Sequence, residues 1–284
     1  MLRSLATAFS CLLAAAAGAA EQHVEIGDLD AVAWSEESRP GAKQPVIVFS
    51  HGFHGCATQS RFLMEAFAKA GYLVFAPNHR DATCNGGDAS WLDKPAASFK
   101  SPGAWSEATF RDRADDIRQL IAAAKADPRW KDADWSSLAL AGHSLGGYTV
   151  LGLAGGWPGW KIDGIKAVLA LSPYSQPFVL KRTLKGLDAP VMYQGGTLDY
   201  GITPTLHKSM GAYDQSPSPK YFVEFQGAGH FAWADVGFAA HDPIVAYSVA
   251  FMDRYVKGDA EPALTEAEGG VASLRYESEL GTRR

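Results

Sequence analysis

Six short and almost unbroken apolar runs, separated by segments of helical periodicity, restrict this chain more than any other feature: Val46–Ser50, Tyr72–Pro77, Leu138–His143, Ile165–Ser172, Pro190–Gln194 and Tyr221–Phe225. A strand that is apolar at nearly every position has no face left for water, so it must be covered on both sides, as in a mostly parallel sheet between two layers of helix. Gln59–Ala70, Thr109–Ala126, Gly147–Ala154, Thr203–Met210 and Asp242–Val256 have the helical spacing to supply that cover. Gly71 stops the first of these helices and Pro128 follows the second. An earlier pair, Val24–Ile26 and Asp30–Ser35, reads as an antiparallel edge, which brings the expected sheet to eight strands.

No internal repeat and no linker rich in Pro, Gly or Ser divides the 284 residues, so residues 21–284 are expected to form a single α/β domain. Residues 81–106, with Gly86-Gly87 and Pro95, Pro102 and Gly103, read as a long loop at the strand-end face. The tail after Gly258 is polar and reads as loosely held. Only Pro173–Ala189 separates two core strands, too little for a large lid domain.

Residues 1–20 read as a signal peptide: a basic start at Met1-Leu2-Arg3, an apolar run from Leu5 to Ala17, and small residues at Ala17-Gly18-Ala19-Ala20. The apolar run is shorter than the roughly 18–20 residues a membrane span needs, so a secreted or periplasmic protein without a stable membrane anchor is expected. A net charge of −5 argues against a nucleic-acid partner and suits an uncharged small or polymeric substrate. A monomer is expected. Beyond the leader the cysteines are Cys56 and Cys84, for which one disulfide and two free buried thiols both fit. Their loops follow neighbouring parallel strands and leave the sheet at the same end, so a bridge would pin the segment after Ser50.

Within this frame, Leu138-Ala139-Leu140-Ala141-Gly142-His143-Ser144-Leu145-Gly146-Gly147 runs from a buried strand through Gly-x-Ser-x-Gly into a helix. A serine on so sharp a turn takes a strained backbone, and its neighbours must be glycine for it to fit. Ser144 is the candidate nucleophile, and the N–H of Leu145, at the positive end of the following helix, a candidate oxyanion donor.

A serine hydroxyl needs a base, and the base an orienting acid. His230, in Gly227-Ala228-Gly229-His230-Phe231 after the last expected strand, is the candidate base; His51, His79 and His143 sit beside strand ends and read as structural hydrogen-bonders, and His23, His54, His207 and His241 lack such a loop. Asp199, in Gly195-Gly196-Thr197-Leu198-Asp199 after the preceding strand, is the candidate acid, with Asp188 and Asp214 reading as solvated loop carboxylates. The order nucleophile, acid, histidine supports this set. The second oxyanion donor is expected from Ser50-His51-Gly52-Phe53-His54-Gly55, at the N–H of Phe53; a plain glycine turn is the alternative.

With these residues in view, the chain resembles the α/β-hydrolase superfamily over nearly all of residues 21–284. Ser50-His51-Gly52-Phe53, Asn78-His79-Arg80-Asp81 and Gly142–Gly147 are similar to plasma-type platelet-activating-factor acetylhydrolases and to dienelactone-hydrolase-like proteins, although dienelactone hydrolases proper use a cysteine where this chain has Ser144. Gly196-Thr197-Leu198-Asp199, Ile202-Thr203-Pro204 and Gly229-His230-Phe231 are similar to bacterial cutinases and polyester hydrolases. The resemblance implies an α/β-hydrolase fold and a serine carboxylester hydrolase acting on short-to-medium acyl, aromatic or polymeric esters. It also places Tyr174, in Ser172-Pro173-Tyr174, where polyester hydrolases carry an aromatic residue, so that Tyr174 and Phe53 would clamp a flat acyl group. The bland alternative is that both rings merely pack a loop.

The residues themselves imply no metal and no organic cofactor. Two rivals use the same framework: an amidase or peptidase with the same triad, and a non-catalytic binding protein on a hydrolase scaffold.

Overall fold

The computed structural model describes residues 20–36, 41–85, 99–260, 262–279 and 281–284. The expected signal peptide, apart from Ala20, and residues 86–98 of the expected long loop lie outside the described residues.

The described residues form one sheet, with strands in the order β1-β2-β4-β3-β5-β6-β7-β8-β9-β10. The strands are β1 (Ala20–Ile26), β2 (Leu29–Ser35), β3 (Gln44–Ser50), β4 (Leu73–Pro77), β5 (Ala133–His143), β6 (Val168–Leu171), β7 (Val191–Gly196), β8 (Lys220–Phe225), β9 (Val271–Ser278) and β10 (Gly281–Arg283). Strands β3 to β8 are mutually parallel, and the antiparallel pairs β1, β2 and β9, β10 flank them. Every apolar run singled out in the sequence is one of the parallel strands.

Burial on both faces shows in the alternation along each strand. In β3, Val46 and Val48 point into one core with Ile117 and Leu120 of helix α2 (Arg111–Ala126) and Tyr148 and Leu151 of helix α3 (Leu145–Leu151). Ile47 and Phe49 point into the other, with Leu63 and Phe67 of helix α1 (Arg61–Lys69) and Tyr247 and Phe251 of a C-terminal helix at His241–Met252.

Register then aligns the strand ends. Ser50 pairs with Gly142, His143 with Leu171, Leu171 with Gln194, and Gly196 with Phe225. The loops after β3, β5, β6, β7 and β8 therefore leave the same edge. From β3 the chain crosses to β4 on one side and returns to β5 on the other, so strand order reverses at β3, and the crevice beyond a reversal is where open α/β sheets bind ligands.

Two expectations need correction. Among the described residues the sheet has ten strands, not eight, and the tail after Gly258 is not loose. Strand β9 pairs along the whole of β8, with Tyr276 opposite Tyr221 and the buried Leu274 opposite Val223. With only the three-residue β10 beyond it, β9 lies at the margin of the sheet and is mostly half-buried or exposed, so its sequence is mixed in polarity and lacks the apolar run that marks a central strand. Leu274→Ala should therefore cost about 2–4 kcal/mol in denaturant unfolding, the scale of a truncated core leucine; an unchanged midpoint would mean that the tail does not hold the sheet edge.

Candidate active site

Strand β5 ends at His143 and α3 begins at Leu145, leaving Ser144 alone at the corner with φ 55° and ψ −116°. A non-glycine residue holds such a backbone only where its surroundings enforce it. Here a Cβ on Gly142 would overlap the Gly146 carbonyl, one on Gly146 the Ser50 carbonyl, and one on Gly147 the side chain of Pro173. The Ser144 N–H donates to Leu171 O at 3.0 Å and its carbonyl accepts from the N–H of Tyr174, also at 3.0 Å, which ties the corner to the end of β6.

His230, after β8, places Nε2 2.9 Å from Ser144 Oγ, and Asp199, after β7, places Oδ2 3.3 Å from His230 Nδ1. The structure thus brings together the three residues expected from the chain order. It adds one that the sequence reading missed: Ser172, buried at the end of β6, whose Oγ donates to Asp199 Oδ2 and lies 2.8 Å from His230 Nδ1.

His143 links the loops. Its Nδ1 accepts from Gln59 Nε2 at 2.9 Å, its Nε2–H donates to the His230 carbonyl at 2.8 Å, and Gln59 Oε1 accepts the N–H of Gly52 at 2.9 Å. Burial, with His230 close by, lowers the His143 pKa to about 3, so it works as an uncharged strut. The histidine loop is also held at the start of α1, where Ser60 Oγ donates to Trp233 O at 2.5 Å.

The loop after β3 is set by a fully buried arginine. Arg113 donates to the carbonyls of His51 at 2.7 Å and Gly52 at 3.0 Å, and forms a bidentate pair with Asp81 at 3.0 and 2.8 Å. Burial alone would raise Asp81; the Arg113 guanidinium, by charge and hydrogen bonding, holds it at about 2 instead. In a trans peptide the C=O and N–H point opposite ways. With the Gly52 carbonyl turned to Arg113, the N–H of Phe53 faces away from α2, in a loop so close to the elbow that a Cβ on Gly52 would lie 3.5 Å from Ser144 Cβ. The sequence signal for Arg113 was slight: a charged residue in the same helical phase as Ile117, Leu120 and Ala124.

Beside this clamp stands a second serine, histidine and aspartate. Ser50 Oγ lies 2.8 Å from His79 Nε2, and His79 Nδ1 2.8 Å from Asp116 Oδ2. Ser50 and His79 are both inaccessible, so no substrate carbonyl reaches that hydroxyl. His79 also donates its backbone N–H to His51 Nε2 at 3.0 Å. Both rings are kept uncharged, first by burial and then by Arg113, and they read as structural, as expected. Burial pushes Asp116 up to about 6 against the pull of Arg113.

Cys56 and Cys84 are joined by a disulfide, with Cα atoms 5.9 Å apart, which ties the loop after β3 to the one after β4. Between the loop after β3 and the histidine loop opens a cleft of about 740 Å³ lined by Phe53, His54, Thr58, Phe231, Ala234 and Val236. The expected Tyr174 and Phe53 clamp needs correction. Phe99 packs on both rings, 5.7 Å from Phe53 and 4.8 Å from Tyr174, and Trp105 lies 4.9 Å from Tyr174. Tyr174 is only 8% exposed and donates its hydroxyl to Phe99 O at 3.0 Å. Phe53 lines the cleft, while Tyr174 braces residues 99–105.

Two measurements probe this framework. Arg113→Met leaves the half-buried Asp81 carboxylate without a counter-charge, with only the His54 N–H as donor among the described residues, and should cost about 3–5 kcal/mol of stability and lower kcat through a loosened loop; a variant as stable and active as the parent would show that the clamp is idle. For Asp116, the folded state keeps its proton to about pH 6 whereas the unfolded chain releases it near 3.8. Stability therefore falls as pH rises through that window and stays lower above it. Asp116→Asn, which keeps an acceptor for His79, should stabilise the fold by about 1 kcal/mol at about pH 8 and by nothing near about pH 3, after allowance for partial exposure.

Against known proteins, the platelet-activating factor acetylhydrolase, isoform II, family matches residues 15–100, and the PET hydrolase-like family matches residues 101–265. Among curated proteins, the chain is similar to cutinase est2 of Thermobifida alba, 28% identical over 75% of this chain and 60% of that protein. It is similar also to cutinase est1 of Thermobifida alba, at 27% over 75% and 61%, and to cutinase 2 of Thermobifida cellulosilytica, at 26% over 75% and 69%. The matched region spans about three-fifths of the length of the two Thermobifida alba proteins. Because the second family match covers more than half of the 284 residues, and includes the elbow at Ser144 and the loops of Asp199 and His230, the chain belongs to the PET hydrolase-like family.

Proposed function

We propose that this chain is an exported serine carboxylester hydrolase with Ser144 as nucleophile, His230 as general base and acid, and Asp199 as the orienting carboxylate. The observation that carries the reading is the 2.9 Å contact between Ser144 Oγ and His230 Nε2 on a strained strand-to-helix corner, with the Asp199 carboxylate behind the ring. Export accords with the leader-like residues 1–20 and with a disulfide, which persists in oxidising compartments.

In this reaction Ser144 Oγ attacks the ester carbonyl carbon while its proton passes to His230 Nε2. The carbonyl electron pair moves onto oxygen, where the N–H groups of Phe53 and Leu145 receive it. Collapse breaks the bond to the alcohol, and His230 returns the proton to the leaving oxygen. Water repeats the sequence on the acyl-enzyme and frees the acid.

The cleft suits short-to-medium acyl and aromatic esters: Phe53, Phe231, Ala234 and Val236 form its apolar side, His54, Thr58, Gln59, Thr83 and Asp235 supply polar groups, and it meets the triad through Phe53 and through Phe231, the neighbour of His230. Phe231 is 63% exposed at its mouth, a position suited to a polyester chain arriving from solvent. The relatives' names, cutinase, and the family's description point to the same substrate class.

Ser144→Ala should preserve the melting temperature and lower p-nitrophenyl butyrate hydrolysis at least about a thousandfold, the scale of triad removals. A fluorophosphonate probe should label the parent and leave the variant unlabelled. Near-parental turnover by the variant would overturn the assignment.

A further inference from the structure

Ser172 stands where a triad would have the imidazole meet its carboxylate directly. Its Oγ is 2.8 Å from His230 Nδ1, closer than Asp199 Oδ2 at 3.3 Å, and the same Oγ donates to Asp199 Oδ2. Given Ser144 as nucleophile, the proton inventory leaves one arrangement. His230 Nε2 must accept the Ser144 hydroxyl, so Nδ1 carries hydrogen and donates. Asp199, as a carboxylate, only accepts, so the one hydrogen of Ser172 goes to Asp199 and its lone pair faces Nδ1–H.

We propose that Ser172 is a positioning residue that completes a four-member relay, Ser144–His230–Ser172–Asp199, in which the carboxylate acts on the imidazole through a polarised hydroxyl. This rests on the reading of Ser144 as nucleophile. As Ser144 Oγ bonds to the carbonyl carbon and its proton moves to Nε2, the positive charge on the ring strengthens the Nδ1–H···Oγ bond. The Ser172 proton stays with its oxygen and draws closer to Asp199, so no further proton is transferred. The relay lies in a dry setting, with Ser172 and Asp199 both buried, where aligned hydrogen bonds polarise one another.

The backbone argues for the same role. Ser172 has φ 41°, a left-handed conformation held by its N–H donating to Gln194 O at 2.8 Å. Strain of this kind is retained where the fold needs a side chain in one place. Without the hydroxyl, Nδ1 would keep only the 3.3 Å contact, longer than the roughly 2.7–2.9 Å of a strong charge-assisted bond. The titratable groups beside the His230 ring are Asp199, from the loop after β7, and His143, at the end of β5, whose ring lies 5.0 Å away.

The test compares the parent with Ser172→Ala, Ser172→Thr and Ser144→Ala on p-nitrophenyl butyrate. For Ser172→Ala, kcat should fall about tenfold or more with KM within about twofold, as for an interaction strengthened only in the transition state. The acid limb of its kcat/KM profile should move to lower pH, because the charged ring loses an acceptor, and the downfield proton NMR signal of the imidazole Nδ1–H should shift upfield. Ser172→Thr, which restores the hydroxyl, should recover most of the rate and the acid limb. Parental kcat and an unmoved acid limb in Ser172→Ala would overturn the relay, and so would a loss that follows a lower melting temperature and is not recovered by threonine. Turnover surviving in Ser144→Ala would instead overturn the underlying assignment, which separates the two failures.

Discussion

The backbone of Ser144 is the constraint on which the rest depends. Its φ of 55° and ψ of −116° turn the chain from β5 into α3 within one residue and lift the hydroxyl clear of both. That conformation is tolerable only because Gly142, Gly146 and Gly147 let the strand end, the helix start and the loops after β3 and β6 approach to backbone contact. Close approach has a chemical consequence. It brings Ser50–Phe53 alongside the elbow, and it sets Leu171–Tyr174 where Ser172 meets the histidine.

Around the elbow, the polar groups form two networks with different work. On one side, Ser172, Asp199, His230, Gln59 and His143 link the loops after β3, β5, β6, β7 and β8, so that a shift in one is felt by the imidazole. On the other, Arg113, Asp81, His51 and His79 hold the loop after β3 from beneath. Low dielectric makes each of these bonds strong and each unpaired member expensive, which favours a rigid site over an adaptable one. The Ser50, His79 and Asp116 contacts add a warning about recognition by distance: their spacing matches a catalytic triad, yet burial denies them a substrate.

Much of this was legible in the sequence, for reasons that can be named. The six parallel strands were visible because burial on both faces demands continuous apolar runs, and the elbow because a one-residue corner demands glycines at fixed offsets. Asp199 and His230 followed from chain order and loop position. Strand β9 was missed because a half-exposed strand at the margin of the sheet shares the mixed composition of a loop, and its pairing with β8 is a long-range contact. Arg113 drew no reading although it shares the helical phase of Ile117, Leu120 and Ala124, since the partners that neutralise it, Asp81 and the carbonyls of His51 and Gly52, come from other segments. For Tyr174 the packing alternative is the one the structure favours, and composition did not reveal it because Phe99 and Trp105 reach the ring from a distant segment.

The sequence by itself determined the layered α/β architecture, the serine at the corner and the acid and base that could serve it, because those depend on local periodicity and on side chains that must be absent. Only the tertiary structure decided that Ser172 lies between Asp199 and His230, that Cys56 meets Cys84, and that a buried guanidinium orients the peptide before Phe53. These are distances of a few ångströms between residues far apart in the chain. They come into being only when the strands align and their loops leave one edge of the sheet together.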